Sequence, residues 1–449
     1  MSPSCGSRST ASPASRLGDE LEGAVDNLFD TQRQRSNYAG KSRPPEPSTG
    51  HVAAPIRHSL RPSGPMPSMS VKSLMTDIVE VVAGPLLRAA NRPIRPRFCH
   101  YTVTARCNLG CDACDFAVGS GVPQKTRGEL TVQEVTEIFS DPELSALWLV
   151  RLTGGEPLLR TDLADLILAI HRSAAPRAIW LTTSASMPDR LERVLTQVLT
   201  AGVRLHLAIS LDADSSLHDE LRGSAGLFDR VMESCAIAQR LQREFPLVVN
   251  INQVVNLRNL ATAPGVLAIA RRFGFGYKSM MQLRFNENLD TDRDPIQREV
   301  PFLPAFEATI EELRGLYDWI AQGVDDRWVP QAGAGALTGL GWRLAEKYMA
   351  LGERSRLFGH KSNPKPPCHA GFAYFRLTPQ GQVITCTSLK GELGDLRTRS
   401  FSDVWHGTEA DRARRHVRAC KGCWLACDIG PSAYFSGDLV RRLPQLLKD

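Results

Sequence analysis

The chain reads Arg106-Cys107-Asn108-Leu109-Gly110-Cys111-Asp112-Ala113-Cys114 directly after an apolar run that is rich in β-forming residues. Its three cysteines have C-x3-C-x2-C spacing, so three thiolates that favour soft metals lie within eight residues. An iron–sulfur cluster of four irons normally takes four cysteine ligands. A loop with three cysteines would therefore leave one iron without a protein ligand, and an open coordination position of this kind indicates catalysis.

A glycine-rich element follows further along the chain. Residues 148–152 have the pattern of a buried strand and lead into Thr153-Gly154-Gly155-Glu156-Pro157. Glycine allows another group to approach the backbone closely because it has no Cβ. In this order, the cysteine loop and the Gly-Gly-Glu-Pro element resemble the radical S-adenosylmethionine (radical SAM) enzyme superfamily.

This resemblance implies a cofactor pair and a reaction. The loop cysteines would hold a 4Fe–4S cluster, and the amino and carboxylate groups of S-adenosylmethionine (SAM) would chelate its open iron. The enzyme would cleave SAM reductively to a 5′-deoxyadenosyl radical, which abstracts hydrogen from a substrate. The implied metal ligands are Cys107, Cys111 and Cys114, and the implied SAM-binding residues here are Gly154, Gly155 and Glu156.

A structural zinc site is the alternative interpretation of the loop. A zinc ribbon needs two close pairs of cysteines, and no fourth cysteine lies near these three. Cys99 falls inside the preceding apolar run, so it is interpreted as a small buried hydrophobe. The alternative function is a non-catalytic zinc or Fe–S protein that acts as a scaffold or regulator.

The pattern from residue 98 onward alternates short β-rich runs with longer amphipathic stretches, which predicts a parallel sheet covered by helices. Six strands are predicted, over residues 98–105, 147–153, 178–183, 205–211, 247–255 and 278–285. This pattern also allows a doubly wound sheet, and the resemblance implies a partial (β/α)6 TIM-like barrel. In either fold, ligands bind at the carboxyl ends of the strands, where both motifs lie.

Two further runs resemble the family near the fourth strand. Ser210-Leu211-Asp212-Ala213 ends that strand, and His218-Asp219-Glu220-Leu221-Arg222-Gly223 follows. The resemblance implies that Ser210 and Arg222 contact the ribose or carboxylate of SAM, since a guanidinium suits a carboxylate. The alternative is that Arg222 pairs with a nearby acidic residue.

Polar residues also lie in two other predicted strands. Thr183 and Ser184 end the third strand and would either line the adenosine side or begin a turn or helix cap. Asn250 and Asn252 alternate with an apolar residue in the fifth strand, so one face of that strand is polar. Asn252 is the predicted cofactor or substrate contact.

A second group of cysteines lies near the carboxyl end of the chain. A run over residues 375–386 predicts a β-hairpin with a Pro-Gln-Gly turn. Cys368 precedes this run, and Cys386 is its last residue. Together with Gly381 and the later C-x2-C pair, their spacing resembles the SPASM and twitch extensions of radical SAM enzymes, which hold auxiliary 4Fe–4S clusters. The cysteines of this group are Cys368, Cys386, Cys420, Cys423 and Cys427.

A full SPASM unit has seven cysteines for two clusters, so five cysteines predict one auxiliary 4Fe–4S cluster. The predicted ligands are the first four of the group, and Cys427 either replaces one of them or lies beside the site. Four thiolates also suit zinc. His369 is expected to face solvent, and Cys235 is expected in the core.

Composition limits the function classes. The chain has 449 residues, and its net charge of +6 is a small excess that gives no support for a nucleic-acid partner. The chain has no apolar run long enough for a transmembrane segment and no signal peptide, and its grouped cysteines fit metal-binding thiols, so a cytoplasmic protein is expected.

The resemblance implies a peptide or small-molecule substrate and a low-potential electron donor of the flavodoxin or ferredoxin type.

The composition also predicts the organisation of the chain. The Ser-, Pro- and Arg-rich start, which includes Cys5, predicts a disordered tail. A helical pattern follows, interrupted at Gly84-Pro85. The predicted regions are a tail (1–70), an N-terminal helix (71–95), the radical SAM core barrel (96–300), a helical linker or cap (301–360), the α+β, cysteine-rich SPASM/twitch-like domain (361–430) and a C-terminal tail (431–449).

Overall fold

A computed structural model gives the fold of most of the chain. It describes residues 71–111, 114, 128–255, 258–281, 283–284, 303–304, 344, 347–349, 351–352, 366–386, 389, 391–420 and 426–447. The chain divides into two compact units, Met1–Leu74 and Met75–Asp449, and the fold below is that of the second unit. The predicted disordered tail, with Cys5, and the predicted linker helix around residues 306–320 lie outside the described residues.

The centre of the fold is a sheet of nine strands in the order β11-β10-β9-β1-β2-β3-β4-β5-β6. Strands β1 to β6 are parallel neighbours in chain order, β9 pairs parallel with β1, and β10 is antiparallel to both β9 and β11. A separate antiparallel pair is formed by β7 and β8. The strands are β1 Phe98–Thr104, β2 Leu149–Gly154, β3 Ala178–Thr183, β4 Leu205–Ser210, β5 Leu247–Val255, β6 Gly276–Met281, β7 Leu283–Arg284, β8 Leu303–Pro304, β9 Tyr374–Leu377, β10 Gln382–Ile384 and β11 Glu392–Asp395.

Helices connect the parallel strands and cover one face of the sheet. Alternate strand residues such as Tyr101, Leu152 and Leu207 pack with helix residues in one large core, whereas the opposite face carries polar side chains. The described helices are α1 Val71–Ala89, α2 Val132–Phe139, α3 Leu163–Ala174, α4 Pro188–Thr200, α5 Leu217–Arg222, α6 Leu227–Glu244, α7 Ala263–Phe273, α8 Phe401–Trp405, α9 Thr408–Ala419, α10 Ala426–Phe435 and α11 Asp438–Leu446.

The order of the strands distinguishes between the two folds that the sequence pattern allowed. A doubly wound sheet reverses its strand order at a switch point and carries helices on both faces. Here β1 to β6 follow one another without reversal, and the face opposite the helices is polar. The prediction of a barrel-type α/β fold with a C-terminal α+β region is therefore confirmed. We call the polar face of β1 to β6 and β9 the concave face.

The predicted strands agree with the observed ones to within two residues at the five strands from β1 to β5. The sixth strand, β6, begins at Gly276, two residues before its predicted start at Lys278. Gly274 ends α7 in the left-handed conformation with φ of 72°, and Phe275 is buried, so the chain enters the sheet immediately after the helix. Residue 285, the predicted end of the strand, lies outside the described residues.

The prediction that Gly84-Pro85 interrupts the first helix was wrong, because α1 continues through both residues to Ala89. A Cβ on Gly84 would lie 2.5 Å from the carbonyl oxygen of Phe435 in α10, so this glycine allows close helix contact. The helix is fixed to the sheet by Arg97, which pairs with Asp77 at 3.3 Å and with Glu80.

The C-terminal region continues the same core. The predicted hairpin is confirmed as β9 and β10, with Gly381 in the turn at φ of +95°. Phe375 and Trp405 belong to the main core, and the indole nitrogen of Trp405 donates to the carbonyl of Ile94 at 3.0 Å. None of the helices in the described ranges has the length and apolar character needed to span a bilayer.

The expectation for His369 was wrong, because this residue is only 2% exposed. Its ring lies against Phe372 and Phe435, at centroid distances of 6.5 and 6.3 Å. Burial lowers the pKa of His369 to about 4, so the ring is neutral at pH 7.

The two predictions for buried cysteines are confirmed, since Cys99 and Cys235 both lie in the main core.

Candidate functional site

The cysteine loop begins directly after β1. Cys107 and Cys111 are half-buried, Cys114 is exposed, and the Cys114 amide donates to the carbonyl of Cys111 at 3.3 Å. Burial raises the pKa of Cys107, while hydrogen bonds from the backbone of Leu109 and Asn108 to its sulfur act in the opposite direction. Backbone donors directed at a cysteine sulfur are typical of sites that hold a metal-bound thiolate.

The glycines at the end of β2 lie against the chain that enters this loop. The amides of Gly155 and Glu156 donate to the carbonyls of Thr104 and Arg106, at 2.9 and 2.7 Å. A Cβ on Gly154 would lie 2.2 Å from the Thr104 oxygen, and one on Gly155 would lie 2.0 Å from the Arg106 oxygen. Both positions therefore require glycine because two backbone segments lie in close contact there. This requirement comes in addition to the contact with SAM that the resemblance implies.

Glu156 joins the ends of β2 and β3. Its carboxylate is 1% exposed and accepts the Thr183 hydroxyl at 2.7 Å and both the amide and the hydroxyl of Ser184, at 2.7 and 2.6 Å. The Leu158 amide is a fourth donor, at 2.9 Å. These four protein donors engage both carboxylate oxygens, so Glu156 positions the strand ends, and Thr183 and Ser184 are its partners.

A second network supports the loop from β4 and α5. Asp212 accepts the Arg222 Nε at 2.6 Å and the Val254 amide at 2.9 Å. Burial acts to lower the pKa of Arg222, but the charges of Asp212 and Cys111 outweigh it and raise that pKa. The pairing of Arg222 with an acidic residue, which the sequence left as an alternative, is therefore present, and the pair is largely buried.

The end of α5 contacts the cysteine loop directly. The Gly110 amide donates to the carbonyl of Arg222 at 3.1 Å, and a Cβ on Gly223 would lie 2.8 Å from the Gly110 oxygen. His218, at the start of α5, accepts the Asp212 amide through Nδ1 at 3.0 Å. Burial lowers the pKa of His218 to about 4, which keeps the ring neutral and able to accept.

The predicted contacts on β4 and β5 lie side by side. Ser210 is the register partner of Asn252, and both are half-buried on the concave face. The Asn252 Oδ1 is buried and has no hydrogen-bond partner among the residues that the structure describes. Because a buried amide oxygen normally has a partner, this atom is available to accept a hydrogen bond from a ligand. The structure thus brings the three loop cysteines, the Gly-Gly-Glu element, Arg222, Ser210 and Asn252 to the carboxyl ends of the strands.

Three of the C-terminal cysteines, Cys368, Cys386 and Cys420, lie near the start of β9. The Tyr374 hydroxyl lies 3.5 Å from the Cys368 Sγ, and the Leu389 amide donates to the Cys386 Sγ at 3.3 Å. Cys420 is close enough to Cys368 for its charge to raise the pKa of that thiol, although burial is the larger cause, and the pKa reaches about 11. Cys423 lies outside the described residues, and Cys427 lies in α10 without a described side chain.

Charged residues from two helices surround this second site. Arg88 of α1 donates from Nε to the Cys368 carbonyl at 2.7 Å, and its charge interacts with Cys368 and Cys420. Asp428 of α10 is 1% exposed and accepts Arg376 at 2.9 Å through Oδ1, and its Oδ2 has no partner within the described ranges. The sequence did not indicate Arg88, which lies 280 residues before Cys368. Tyr374 and Asp428 lie beside the cysteine group in the chain, but neither belongs to the cysteine spacing that drew attention to it.

Two of the thiols accept hydrogen bonds from the backbone. The sulfurs of Cys107 and Cys386 accept backbone N–H donors, as the sulfurs of metal-bound thiolates do. Among the described residues, no group of three His, Cys, Asp or Glu side chains is placed to hold a single metal ion.

A row of large polar and aromatic side chains crosses the concave face between the two sites. His100, Arg151, Trp180 and His206 are successive register partners from β1 to β4. The Arg151 guanidinium lies 4.8 Å from the Trp180 ring centroid, and the rings of Trp180 and His206 stack at 5.5 Å. Only the alternation of polar and apolar residues within each strand could have indicated this row.

Comparisons with known proteins agree with this geometry. A family model of the Radical SAM superfamily matches residues 101–253, and the SPASM model, an iron–sulfur cluster-binding domain, matches residues 368–424. The AdoMet-dependent heme synthase of Methanosarcina barkeri is 25% identical over 337 residues, which are 74% of this chain and 88% of that protein. The mycofactocin maturase MftC of Mycolicibacterium smegmatis is 27% identical over 355 residues, which are 75% of this chain and 79% of that protein.

A solved structure shows a similar fold. The crystal structure of Streptococcus suis SuiB bound to precursor peptide SuiA has a TM-score of 0.51 at 14% sequence identity. The similarity covers 93% of this chain and 88% of the SuiB chain.

Proposed function

Because the chain belongs to the radical SAM superfamily and carries a C-terminal SPASM domain, we propose that it is a maturase-type enzyme that acts on a peptide. It is an enzyme whose cofactors are a 4Fe–4S cluster, SAM and auxiliary Fe–S. One observation carries the proposal. The networks of Glu156 and of Asp212 with Arg222 hold the three-cysteine loop at the end of the sheet where the Asn252 oxygen has no partner in the described part of the chain.

The proposed roles follow from these contacts. Cys107, Cys111 and Cys114 hold the first cluster, and Ser210 and Asn252 contact SAM. Gly154, Gly155, Glu156 and Arg222 shape the site, with Gly154 and Gly155 also contacting SAM. The auxiliary cluster is held by Cys368, Cys386, Cys420 and Cys423, with Cys427 beside the site or in place of one ligand.

The bound cluster and SAM supply a carbon-centred radical that removes hydrogen from the substrate. The protein's part is to place one substrate C–H bond and to exclude water. The concave face is suited to both tasks. The row from His100 to His206 lies across it, on the side of the SAM-binding residues that is away from the carboxyl ends of the strands. The net reaction is an oxidation, cross-link or epimerisation.

Two relatives support a peptide substrate. One is named a mycofactocin maturase, and the other, SuiB, has a similar fold and was solved with a bound precursor peptide. The heme synthase relative favours a small molecule as the second candidate. We further propose a low-potential electron donor of the flavodoxin or ferredoxin type and a cytoplasmic location, since the chemistry needs a strong reductant and reduced thiols.

The reaction is tested on anaerobically reconstituted protein with SAM and dithionite. We expect about eight irons per chain, as two four-iron clusters require, and release of 5′-deoxyadenosine. The Cys107→Ala/Cys111→Ala/Cys114→Ala variant should retain about half the iron and release no 5′-deoxyadenosine, whereas Cys235→Ala, which changes a core cysteine, should behave as wild type. Stoichiometric zinc without iron would instead identify the scaffold alternative.

The substrate class is tested separately by mass spectrometry. Precursor peptides encoded near the gene are incubated with the active enzyme, and a peptide substrate should lose hydrogen or show deuterium uptake at one residue. Turnover of a small molecule but of no peptide would overturn the peptide assignment and leave the radical chemistry intact.

A further inference from the structure

Tyr374 is placed to act on the auxiliary site. It is the first residue of β9, it is 0% exposed, and it lies opposite Phe98 on the concave face. Its hydroxyl lies 3.5 Å from the Cys368 Sγ. Its ring meets His100 edge to face at a centroid distance of 6.0 Å, so it also contacts the row that crosses the concave face.

The direction of this hydrogen bond follows from the chemistry of the ligand. A metal-bound cysteine is a thiolate and has no proton to donate. The phenol of Tyr374 must then be the donor, and the Cys368 sulfur must be the acceptor. A hydrogen bond to a cluster sulfur stabilises the more negative, reduced cluster, because the donor partly neutralises the added charge.

We propose that Tyr374 is a positioning residue that raises the reduction potential of the auxiliary cluster through its hydrogen bond to Cys368. The inference rests on the proposed function, since it requires Cys368 to be a cluster ligand. It assigns a specific role to a residue that is not itself a predicted ligand of the cluster.

The charges around Tyr374 show why a donor matters here. Arg88 contributes positive charge near Cys368 and Cys420 and acts in the same direction as the hydrogen bond. Asp428 contributes negative charge near Cys368 and acts against it, with one carboxylate oxygen paired to Arg376. In this low-dielectric surrounding, a single hydrogen bond has a larger effect than it would in water.

The position of Tyr374 also connects the site with the substrate space. β1 runs from Phe98, opposite Tyr374, to Thr104 just before the cysteine loop, a rise of about 20 Å. The two cluster sites therefore lie toward opposite ends of the β1–β9 pair. Tyr374 thus contacts both Cys368 and the row of side chains that begins at His100.

The test is a redox titration of the auxiliary cluster, followed by electron paramagnetic resonance. The reconstituted full-length protein carries the Cys107→Ala/Cys111→Ala/Cys114→Ala changes, so that only the auxiliary cluster contributes. With Tyr374→Phe, the ratio of reduced to oxidised cluster at the wild-type midpoint should fall about tenfold, as expected for one hydrogen bond to a charged group.

Tyr101→Phe is the matched control. Tyr101 is equally buried on the adjacent strand β1 but faces the helices, and we expect no change in the ratio. Replacement of Tyr374 by 3-fluorotyrosine keeps the ring and strengthens the donor, so the ratio should rise. This variant decides the question if Tyr374→Phe fails to assemble a cluster.

The outcomes separate this inference from the proposed function. An unchanged ratio in Tyr374→Phe with full iron content, or an unchanged ratio with fluorotyrosine, would overturn the role of Tyr374 and leave the auxiliary cluster in place. Absence of the auxiliary cluster from the parent protein would overturn the ligand assignment itself, and the inference with it.

Discussion

At the scale of single residues, close contact decides which side chain the site tolerates. The sequence indicated that Gly154 and Gly155 matter, and the resemblance implied contact with SAM. The structure adds that each glycine lies against the backbone of the chain entering the cysteine loop. Such a contact joins residues that are about fifty positions apart, so composition and spacing cannot indicate it.

Gly155→Ala should therefore distort the loop. A Cβ at this position would lie 2.0 Å from the Arg106 oxygen, and backbone cannot move aside at little cost. We expect a loss of about 1–3 kcal/mol in the free energy of unfolding, as for overpacking elsewhere, together with reduced iron incorporation by the first cluster. Urea denaturation and iron analysis measure the two effects.

Gly430→Ala is the matched control for this change. Gly430 lies in α10, and apart from its chain neighbours and the backbone of its own helix no described atom lies within 4 Å of the position of an added Cβ. Alanine there should leave stability unchanged or slightly increase it. If Gly155→Ala were as stable and as iron-rich as Gly430→Ala, the close contact would have no energetic importance.

At the scale of elements, the pattern of polar and apolar residues predicts whether a segment is a helix or a strand. It predicts the contacts of that segment with distant parts of the chain less well. The six parallel strands and the hairpin were predicted because alternating and buried runs are local signals. The continuation of α1 through Gly84-Pro85 was not, since it depends on contact with α10, which is distant in the chain. Of the Asp212 network, the sequence offered only the pairing of Arg222 with an acidic residue, as an alternative, because the contact with β5 joins distant parts of the chain.

The docking of α1 depends on a buried cation. Arg97 is 4% exposed, pairs with Asp77 and Glu80, and donates to the Ala146 carbonyl at 2.8 Å. Arg97→Gln should cost about 1–3 kcal/mol, because it removes the arginine that pairs with Glu80 and one of the two arginines that pair with Asp77. Hydrogen exchange should rise across residues 75–89, and iron at the auxiliary site should fall, since α1 carries Arg88.

An exposed ion pair provides the comparison. Arg240 pairs with Glu192, and both side chains are more than 40% exposed. Arg240→Gln should change stability by about 0–1 kcal/mol and leave exchange in α1 unaltered. Equal effects of the two substitutions would show that Arg97 is not what fixes the helix.

At the scale of the whole molecule, buried histidines should make stability depend on pH. Burial lowers the pKa values of His206 and His218 to about 4, with Arg204 acting in the same direction on His206 and Arg222 on His218. Asp212 and Asp219 oppose the shift at His218. In the unfolded chain both histidines have ordinary values near 6.5.

The sign follows from these values. Above about pH 6.5 neither state binds the protons, and stability is at its full value. As the pH falls toward 4, the unfolded chain binds protons that the folded protein does not, so each histidine costs roughly 1.4 kcal/mol per pH unit. Urea midpoints measured from pH 7 to pH 5 should therefore fall, and His206→Gln should reduce the slope. A flat profile would contradict the burial of both rings as neutral groups.

The joining of β9 to β1 makes the two matched domains parts of one sheet. Residues 98–101 pair along their outer side with residues 374–377, and Phe375 and Trp405 fill the same core as the helices of the barrel. A shortened chain ending before residue 366 would leave β1 with a bare row of amide and carbonyl groups next to an open hydrophobic surface. Such a fragment would be prone to self-association, so the two halves of this enzyme must be inherited, expressed and engineered as a unit.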